Sequence, residues 1–127
     1  MTGNELFEFA LDLCGLRTAD GNPASDTADL LQRSVTLINI LLAENAALDG
    51  AIRKSEHTVN TIETLDDTIP VTDIVASAVL PYGLARLMLL GEDDSAAADF
   101  NALYEKAKSE AMRFGKPTVH EIREVYT

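Results

Sequence analysis

The stretch "VLPYGLARLMLLGEDDSAAADFNALYEKA", Val79–Ala107, decides the fold predicted for this chain. Its first half is almost continuously apolar, as only a buried helix tolerates. Pro81 lies inside this helix, where it removes a backbone donor and clashes with the preceding turn, so we predict a kink there. The turn "GEDD", Gly91–Asp94, supplies a glycine to end the helix and an aspartate, Asp93 or Asp94, to cap the next one. The stretch therefore predicts a helical hairpin around a buried, kinked helix.

Boundary signals elsewhere predict an all-α fold, a small bundle of four principal helices with a kinked, buried third helix and a C-terminal tail. Gly115 and Pro117 give the firmest boundary, because glycine ends helices and proline cannot continue them. They separate a helical domain, 1–116, from a tail or arm, 117–127. Any strand is expected to be short and confined to 56–70 or the tail. The predicted helices are 3–15, 26–49, 72–90 and 94–114.

Short polar residues and glycines mark individual helix ends. Thr2 and Glu5 have the spacing of a capping box at the start of the first helix. The predicted apolar stripe of this helix is Leu6, Phe9, Leu13 and Leu16. Thr72 is expected to cap the third helix, and Gly50 to end the second. Four side chains are expected to be buried around the kink: Leu80, Leu84, Leu87 and Phe100. The fourth helix carries one predicted stripe, Phe100, Leu103, Ala107, Ala111 and Phe114.

The second helix carries two apolar stripes. One stripe is enough to face a core, so two predict a central helix packed on both sides or a helix with one face against another subunit. The first stripe is Leu31, Val35, Ile38 and Leu42, and the second is Leu30, Leu37, Leu41 and Leu48. Within the second stripe, the residues predicted to contact another subunit are Leu30, Leu37 and Leu41.

The tail holds four further predicted interface residues, Val119, Ile122, Val125 and Tyr126. The segment is too short to bury them on itself, so it must dock on its own domain, on a neighbouring copy or on another protein. Thr118 and Glu121 could cap one more turn of helix, and the same residues could equally lie in an extended arm. The sequence leaves these alternatives open.

The formal charge of −11 on 127 residues is unevenly distributed. Residues 1–99 hold 17 acidic and 5 basic side chains, whereas residues 100–127 hold 4 acidic and 5 basic ones. Nucleic-acid binding requires Lys and Arg to displace counterions from phosphates, so this chain is expected to bind DNA poorly. Without a signal peptide or an apolar run of about 18 residues, no membrane association is expected.

The sequence contains no arrangement of residues that predicts catalysis. Phosphate-binding loops, zinc-protease motifs, paired cysteines and serine-hydrolase elbows are absent. His57 and His120 have carboxylate neighbours but lie in separate polar segments, and the acidic clusters at 65–67 and 91–94 are explained by capping and solubility. Cys14 lies among apolar residues and is interpreted as a core thiol. We therefore expect no catalytic, cofactor-binding or metal-binding residues and no cofactor.

The order of elements across residues 25–127 resembles that of the small helical head–tail connector, or head-completion and adaptor, proteins of long-tailed bacteriophages and prophages. The shared features are an "INxxLxE" helix, an apolar "L-P-x-G-L-A" helix, an acidic turn, an "F-N-x-x-Y-E-x-A" helix, and a tail with isoleucine and tyrosine. The resemblance implies a non-catalytic virion subunit, assembled in the host bacterial cytoplasm.

The same resemblance implies partners for the chain. Copies would form a homo-oligomeric ring between the portal and the tail proteins, and DNA would pass through it without tight binding. Two other classes remain as alternatives. One is a small helical regulatory or interaction protein that acts as a dimer, and the other is an enzyme or metal protein.

Overall fold

A computed structural model describes residues 1–16, 28–56 and 58–113, and these are all-α, as predicted. They contain five α-helices and no strand, only an isolated antiparallel bridge between Thr2 and Thr68. A π-helical segment, Val75–Val79, leads directly into the fourth α-helix. The helices are α1 Gly3–Cys14, α2 Ala28–Glu44, α3 Ala46–Arg53, α4 Leu80–Leu89 and α5 Asp94–Met112.

Helix α4 lies at the centre of the core and packs against α1, α2 and α5. Leu80 and Leu84 are fully buried there, as predicted, whereas Leu87 and Phe100 are only half-buried. Gly83 allows the closest approach: a Cβ atom at this position would lie 2.7 Å from Leu41 Cδ2 and 2.8 Å from Tyr104 Cε1. Any side chain at position 83 would therefore force the buried side chains of Leu41 and Tyr104 to shift.

The hairpin between α4 and α5 forms as the sequence predicts. Gly91 adopts a positive φ of 89° just after α4. Asp93 caps α5 by accepting a hydrogen bond from the Ala96 amide at 3.0 Å, and Asp94 Oδ1 accepts one from the Gly91 amide at 2.8 Å. The acidic residues of this turn thus satisfy backbone donors that helix formation leaves free. The capping box of Thr2 and Glu5 is also confirmed, with both reciprocal hydrogen bonds present.

The helix departs from α geometry directly before Pro81, where the sequence predicts a kink. The departure is the π-helical segment, in which the Leu80 amide donates to the Val75 carbonyl five residues earlier. Proline has no amide and its ring crowds the carbonyl four residues before it. The wider π turn accommodates both constraints, and the helical path continues without a break from Val75 to Leu89.

The prediction of one helix over 26–49 is wrong, because the chain bends by 55° between α2 and α3. Asn45 lies at the bend, completely buried, and its side-chain amide donates to the Leu41 carbonyl at 2.8 Å. Such side-chain bonds compete with the regular helical pattern. Gly50 does not end the helix. It is buried inside α3, which continues to Arg53 and ends at Lys54 with a φ of 58°.

The predicted cap of the third helix is also corrected. The Thr72 hydroxyl has no hydrogen-bond partner among the described residues, so it does not cap the helix. The Thr72 amide instead donates to Asp49 Oδ1 on α3 at 2.7 Å, while Asp49 Oδ2 pairs with Arg53 at 2.8 Å. A carboxylate supplied from another helix therefore holds the chain as it enters the π-helical segment.

The buried faces of α1 and α5 differ from the predicted ones. On α5, Leu103 is 42% exposed, and Tyr104 is buried in its place. On α1, Phe7 faces the core while Phe9 is 41% exposed. Tyr104 lies one position after the predicted Leu103, and Phe7 lies two positions before the predicted Phe9. When two neighbouring residues are both apolar, the sequence does not decide which of them faces the core. The two choices differ by a rotation of about 100° about the helix axis.

The segment between α3 and the π-helical segment covers the core without regular structure. Ile62 and Ile69 are buried, and Ile62 exchanges two hydrogen bonds with the Asn39 side chain on α2. Asp67 closes a turn by accepting hydrogen bonds from the Thr64 and Glu63 amides, which lower the pKa of its carboxyl group. Asp66 accepts a hydrogen bond from the Asn4 side chain at 2.9 Å, so both aspartates of the cluster at 65–67 have structural partners.

Candidate interaction surfaces

An apolar groove of about 300 Å³ opens between α1, the π-helical segment with the start of α4, and the end of α5. We call it the α1–α4–α5 groove. Its wall includes one charged residue, Glu110, among the described residues. The apolar part of the wall includes Phe9, Ile74, Ala78, Pro81, Tyr82 and Ala107. Groove walls with this composition are typical of sites that accept apolar side chains.

The sequence explains why this groove is apolar and remains open. Ala78, Ala107 and Ala111 have small side chains, so they leave space between the helices that larger residues would fill. Phe9 lies outside the buried face of α1 and forms an exposed aromatic edge. The groove went unpredicted because Phe9, Ala107 and Ala111 were assigned to core stripes. The exposed position of Phe9 could have been suspected, because α1 has more apolar residues than one buried face needs.

A polar network links α5 to α2 and α4 about two turns before Ala111. Buried Asn45 donates to the Tyr104 hydroxyl at 2.7 Å, and that hydroxyl donates to Glu44 Oε1 at 2.9 Å. Arg86 binds the same carboxylate at 3.2 Å and donates to Asn101 Oδ1 at 3.3 Å. The network fixes the α2–α3 bend against α5.

The environment of Tyr104 keeps its hydroxyl protonated. Burial raises the pKa of Tyr104 well above its usual range, and the adjacent Glu44 carboxylate raises it further. The cations of Arg86 and Lys108 lie 5.0 and 4.8 Å from the ring centroid, within the range of cation–π contact. A hydroxyl held in this way donates to Glu44 and does not act as a base near neutral pH. We interpret the network as structural.

Replacing Tyr104 with Phe should lower the free energy of unfolding by about 1–2 kcal/mol, because Asn45 and Glu44 each lose a hydrogen-bond partner. Chemical denaturation followed by circular dichroism measures this change. Tyr82→Phe is the matched control, since the Tyr82 hydroxyl has no hydrogen bond among the described residues. Equal stability of the two variants would contradict the role assigned to the network.

The predicted subunit face of α2 is only partly available at the surface. Leu30 and Leu37 are half-buried and pack against the core, whereas Leu41 is completely buried beside Gly83. Leu41 therefore contributes to the core of its own chain and offers no surface to another copy. Exposed apolar area on α2 comes from Leu31 and Ile40, at 46% and 44% exposure. The predicted tail residues Val119, Ile122, Val125 and Tyr126 lie outside the described residues.

A second, shallower depression of about 620 Å³ lies between α2, α4 and the start of α5. The ion pair of Glu44 and Arg86 lies on its floor, next to half-buried Leu87. Leu90, 63% exposed, forms part of its edge. Charged residues are depleted at the centres of protein–protein interfaces, so this depression is less suited than the groove to bind an apolar partner.

Chemically reactive arrangements are not found in the described part of the chain. Among residues 1–16, 28–56 and 58–113, no group of three or more His, Cys, Asp or Glu side chains could hold a metal ion. Burial raises the pKa of Cys14 to about 11, consistent with a core thiol and unfavourable for a nucleophile. His57 and His120 lie outside the described residues.

Within the described ranges, no single helix is long and apolar enough to cross a membrane, although α2 and α3 together reach that length and composition as a bent pair. Comparisons of the chain with protein-family models, curated proteins and solved structures found no match. The motifs of the sequence and the two surfaces described above are therefore the features that bear on the function of the protein.

Proposed function

We propose that this protein is a head–tail connector subunit of a tailed bacteriophage or prophage, a non-catalytic virion component that forms a ring below the portal. The order of the motifs along residues 25–127 supports the proposal. Portal and tail proteins are its proposed partners, and the virion, assembled in the bacterial cytoplasm, is its proposed location.

The observation that carries the proposal is the apolar α1–α4–α5 groove on the surface of a strongly acidic helical domain. A subunit of a ring needs exposed apolar surface to bind its neighbours, and the groove and exposed Phe9 offer such surface. A protein that surrounds moving DNA should repel phosphate, as an excess of carboxylates does. The helical fold, the groove and the charge are each compatible with a structural subunit.

The proposal is tested by the assembly state of the purified full-length chain. Sedimentation velocity and negative-stain electron microscopy should reveal closed rings, at a concentration-dependent yield. A stable dimer without rings would instead favour the small regulatory or interaction protein. A chain that stays monomeric, alone and in the presence of the portal protein of the same phage or prophage, would contradict the proposal.

A genetic test addresses the place of the protein in assembly. In a phage or inducible prophage that carries the gene, a nonsense mutation should lead to separate filled heads and free tails. Supplying the wild-type protein should restore joined particles. Normal virions without the protein would exclude a connector role.

The chain should bind double-stranded DNA poorly, despite its proposed position around DNA. In a mobility-shift experiment at low salt, we expect no complex at micromolar protein, because the net charge of −11 opposes counterion release. A basic DNA-binding protein of similar size serves as the positive control. Salt-sensitive binding of DNA at micromolar protein would contradict the proposal that DNA slides through a ring of this protein.

A further inference from the structure

The α1–α4–α5 groove lies where the described chain leaves the domain. Ala107, Glu110 and Ala111 on the last turns of α5 form one wall, and the last described residue, Arg113, follows two positions later. Residues 114–127 follow Arg113. An extended chain of this length can span about 45 Å, enough to reach a groove on an adjacent domain.

The composition of residues 114–127 matches the groove. The segment "TVHEIREVYT" places Val119, Ile122 and Tyr126 at spacings of three and four residues, so one face of it can be apolar whether it is helical or irregular. Arg123 is available to Glu110, the charged residue of the groove wall. The segment also carries Glu121 and Glu124, so its match to the groove depends mainly on the apolar side chains.

Charge favours contact between copies through this segment. Residues 114–127 hold two acidic and two basic side chains, so the entire formal charge of −11 belongs to residues 1–113. Acidic domains repel one another, and a segment without net charge meets the least repulsion as it approaches a second domain. The C-terminal segment is therefore the part of the chain best suited to contact another copy.

Ring symmetry requires two different surfaces on each subunit. A ring closes through head-to-tail contacts, in which one patch binds a different, complementary patch on the next copy. The chain provides a groove on its domain and an apolar segment that follows the domain in sequence. Two such parts satisfy the requirement, whereas a single self-complementary patch would produce only a dimer.

We infer that residues 117–127 of one copy dock in the α1–α4–α5 groove of the adjacent copy, with Ile122 and Tyr126 as the anchoring side chains. The inference rests on the proposed function for the ring arrangement, and it names the contact that holds neighbouring subunits together. Buried aromatic and aliphatic anchors dominate the energy of such contacts.

Disulfide trapping in the full-length chain tests which copy occupies the groove. The variant carries Cys14→Ser, which removes the only native cysteine, together with Ala78→Cys in the groove and Thr127→Cys beside the tail anchor Tyr126. Oxidation should give a ladder of covalent oligomers on a non-reducing gel. Exclusively intrachain disulfides would show that the segment docks on its own domain and would overturn the inference. The matched control moves the groove cysteine to exposed Ala102 on α5 and should give no ladder.

Blocking the groove provides an independent measurement. Ala107→Glu fills the groove with a charged side chain, whereas Ala102→Glu adds the same charge to an exposed position on the same helix. We expect the first variant to weaken association more than about tenfold and the second to leave it nearly unchanged. Circular dichroism and thermal melts verify that both variants are folded. Equal association of two folded variants would overturn the inference.

Competition by a peptide of residues 116–127 tests the groove contact without any substitution in the folded domain, so it remains informative if a groove variant fails to fold. Added in excess to the full-length protein, it should dissociate the assembly, and a peptide with Ile122→Ala and Tyr126→Ala should not. Rings that form normally and resist the peptide would overturn the inference while leaving the connector proposal intact. Intermolecular disulfides without any ring would support the groove contact and contradict the connector proposal.

Discussion

Leu84→Ala should lower the free energy of unfolding by about 2–5 kcal/mol. Leu84 is completely buried in α4, the helix that contacts α1, α2 and α5, so truncation leaves a cavity at the centre of the core. Neighbouring Gly83 already brings Leu41 and Tyr104 close to the α4 backbone, which limits how far these side chains can move to fill the space. Chemical denaturation, analysed as a two-state transition, measures the loss.

Leu87 in α4 and Leu90 directly after it serve as controls for Leu84. Leu87 is half-buried, so Leu87→Ala should cost clearly less. Leu90, just after α4, is 63% exposed, and Leu90→Ala should change stability by no more than about 0.5 kcal/mol. If Leu84→Ala were as stable as Leu90→Ala, the buried position of α4 would be incorrect.

Deletion of residues 117–127 should abolish assembly while leaving the helical domain folded. The truncated chain retains all of the described core, whose buried apolar residues lie between Leu6 and Ala111. Helical circular dichroism should therefore be nearly unchanged. The tail anchors Ile122 and Tyr126 are lost, so light scattering should detect only small species at concentrations where the full chain forms oligomers.

Point substitutions refine the deletion experiment. Ile122→Ala combined with Tyr126→Ala should reproduce the loss of assembly, whereas Lys116→Ala combined with Glu124→Ala should not, since it preserves net charge and both anchors. A truncated chain that unfolds would show that the tail belongs to the core of its own domain. A truncated chain that assembles normally would show that the tail takes no part in the contact.

The sequence alone determined the fold class and the helix ends governed by local interactions. Capping by Thr2 with Glu5 and by Asp93, and the positive φ of Gly91, involve residues within a few positions of one another. Such contacts can be recognised from spacing because the local backbone geometry fixes their distances. The long apolar run around Leu84 identified the central helix for a similar reason: no other environment would accommodate it.

Features that depend on distant residues were decided by tertiary structure. The chain bends between α2 and α3 at Asn45. The side-chain amide of Asn45 donates a hydrogen bond to the Tyr104 hydroxyl, 59 residues away in sequence. Asp49 accepts a hydrogen bond from the Thr72 amide, 23 residues away in sequence, whereas the predicted cap by the Thr72 side chain does not form. Buried polar groups must find hydrogen-bond partners, but the partner is chosen by packing and leaves no periodic signal in the sequence.

Helix orientation about its axis was also decided by packing. Leu103 and Tyr104, like Phe7 and Phe9, are apolar enough for either member of the pair to face the core, and the sequence pattern does not choose between them. Tyr104 is buried because Gly83 leaves room for its ring and Asn45 and Glu44 bind its hydroxyl. Phe9 then remains exposed at the α1–α4–α5 groove, on which the proposed contact between subunits depends. The sequence specified the apolar residues of this surface, and only the three-dimensional packing decided that they would be exposed.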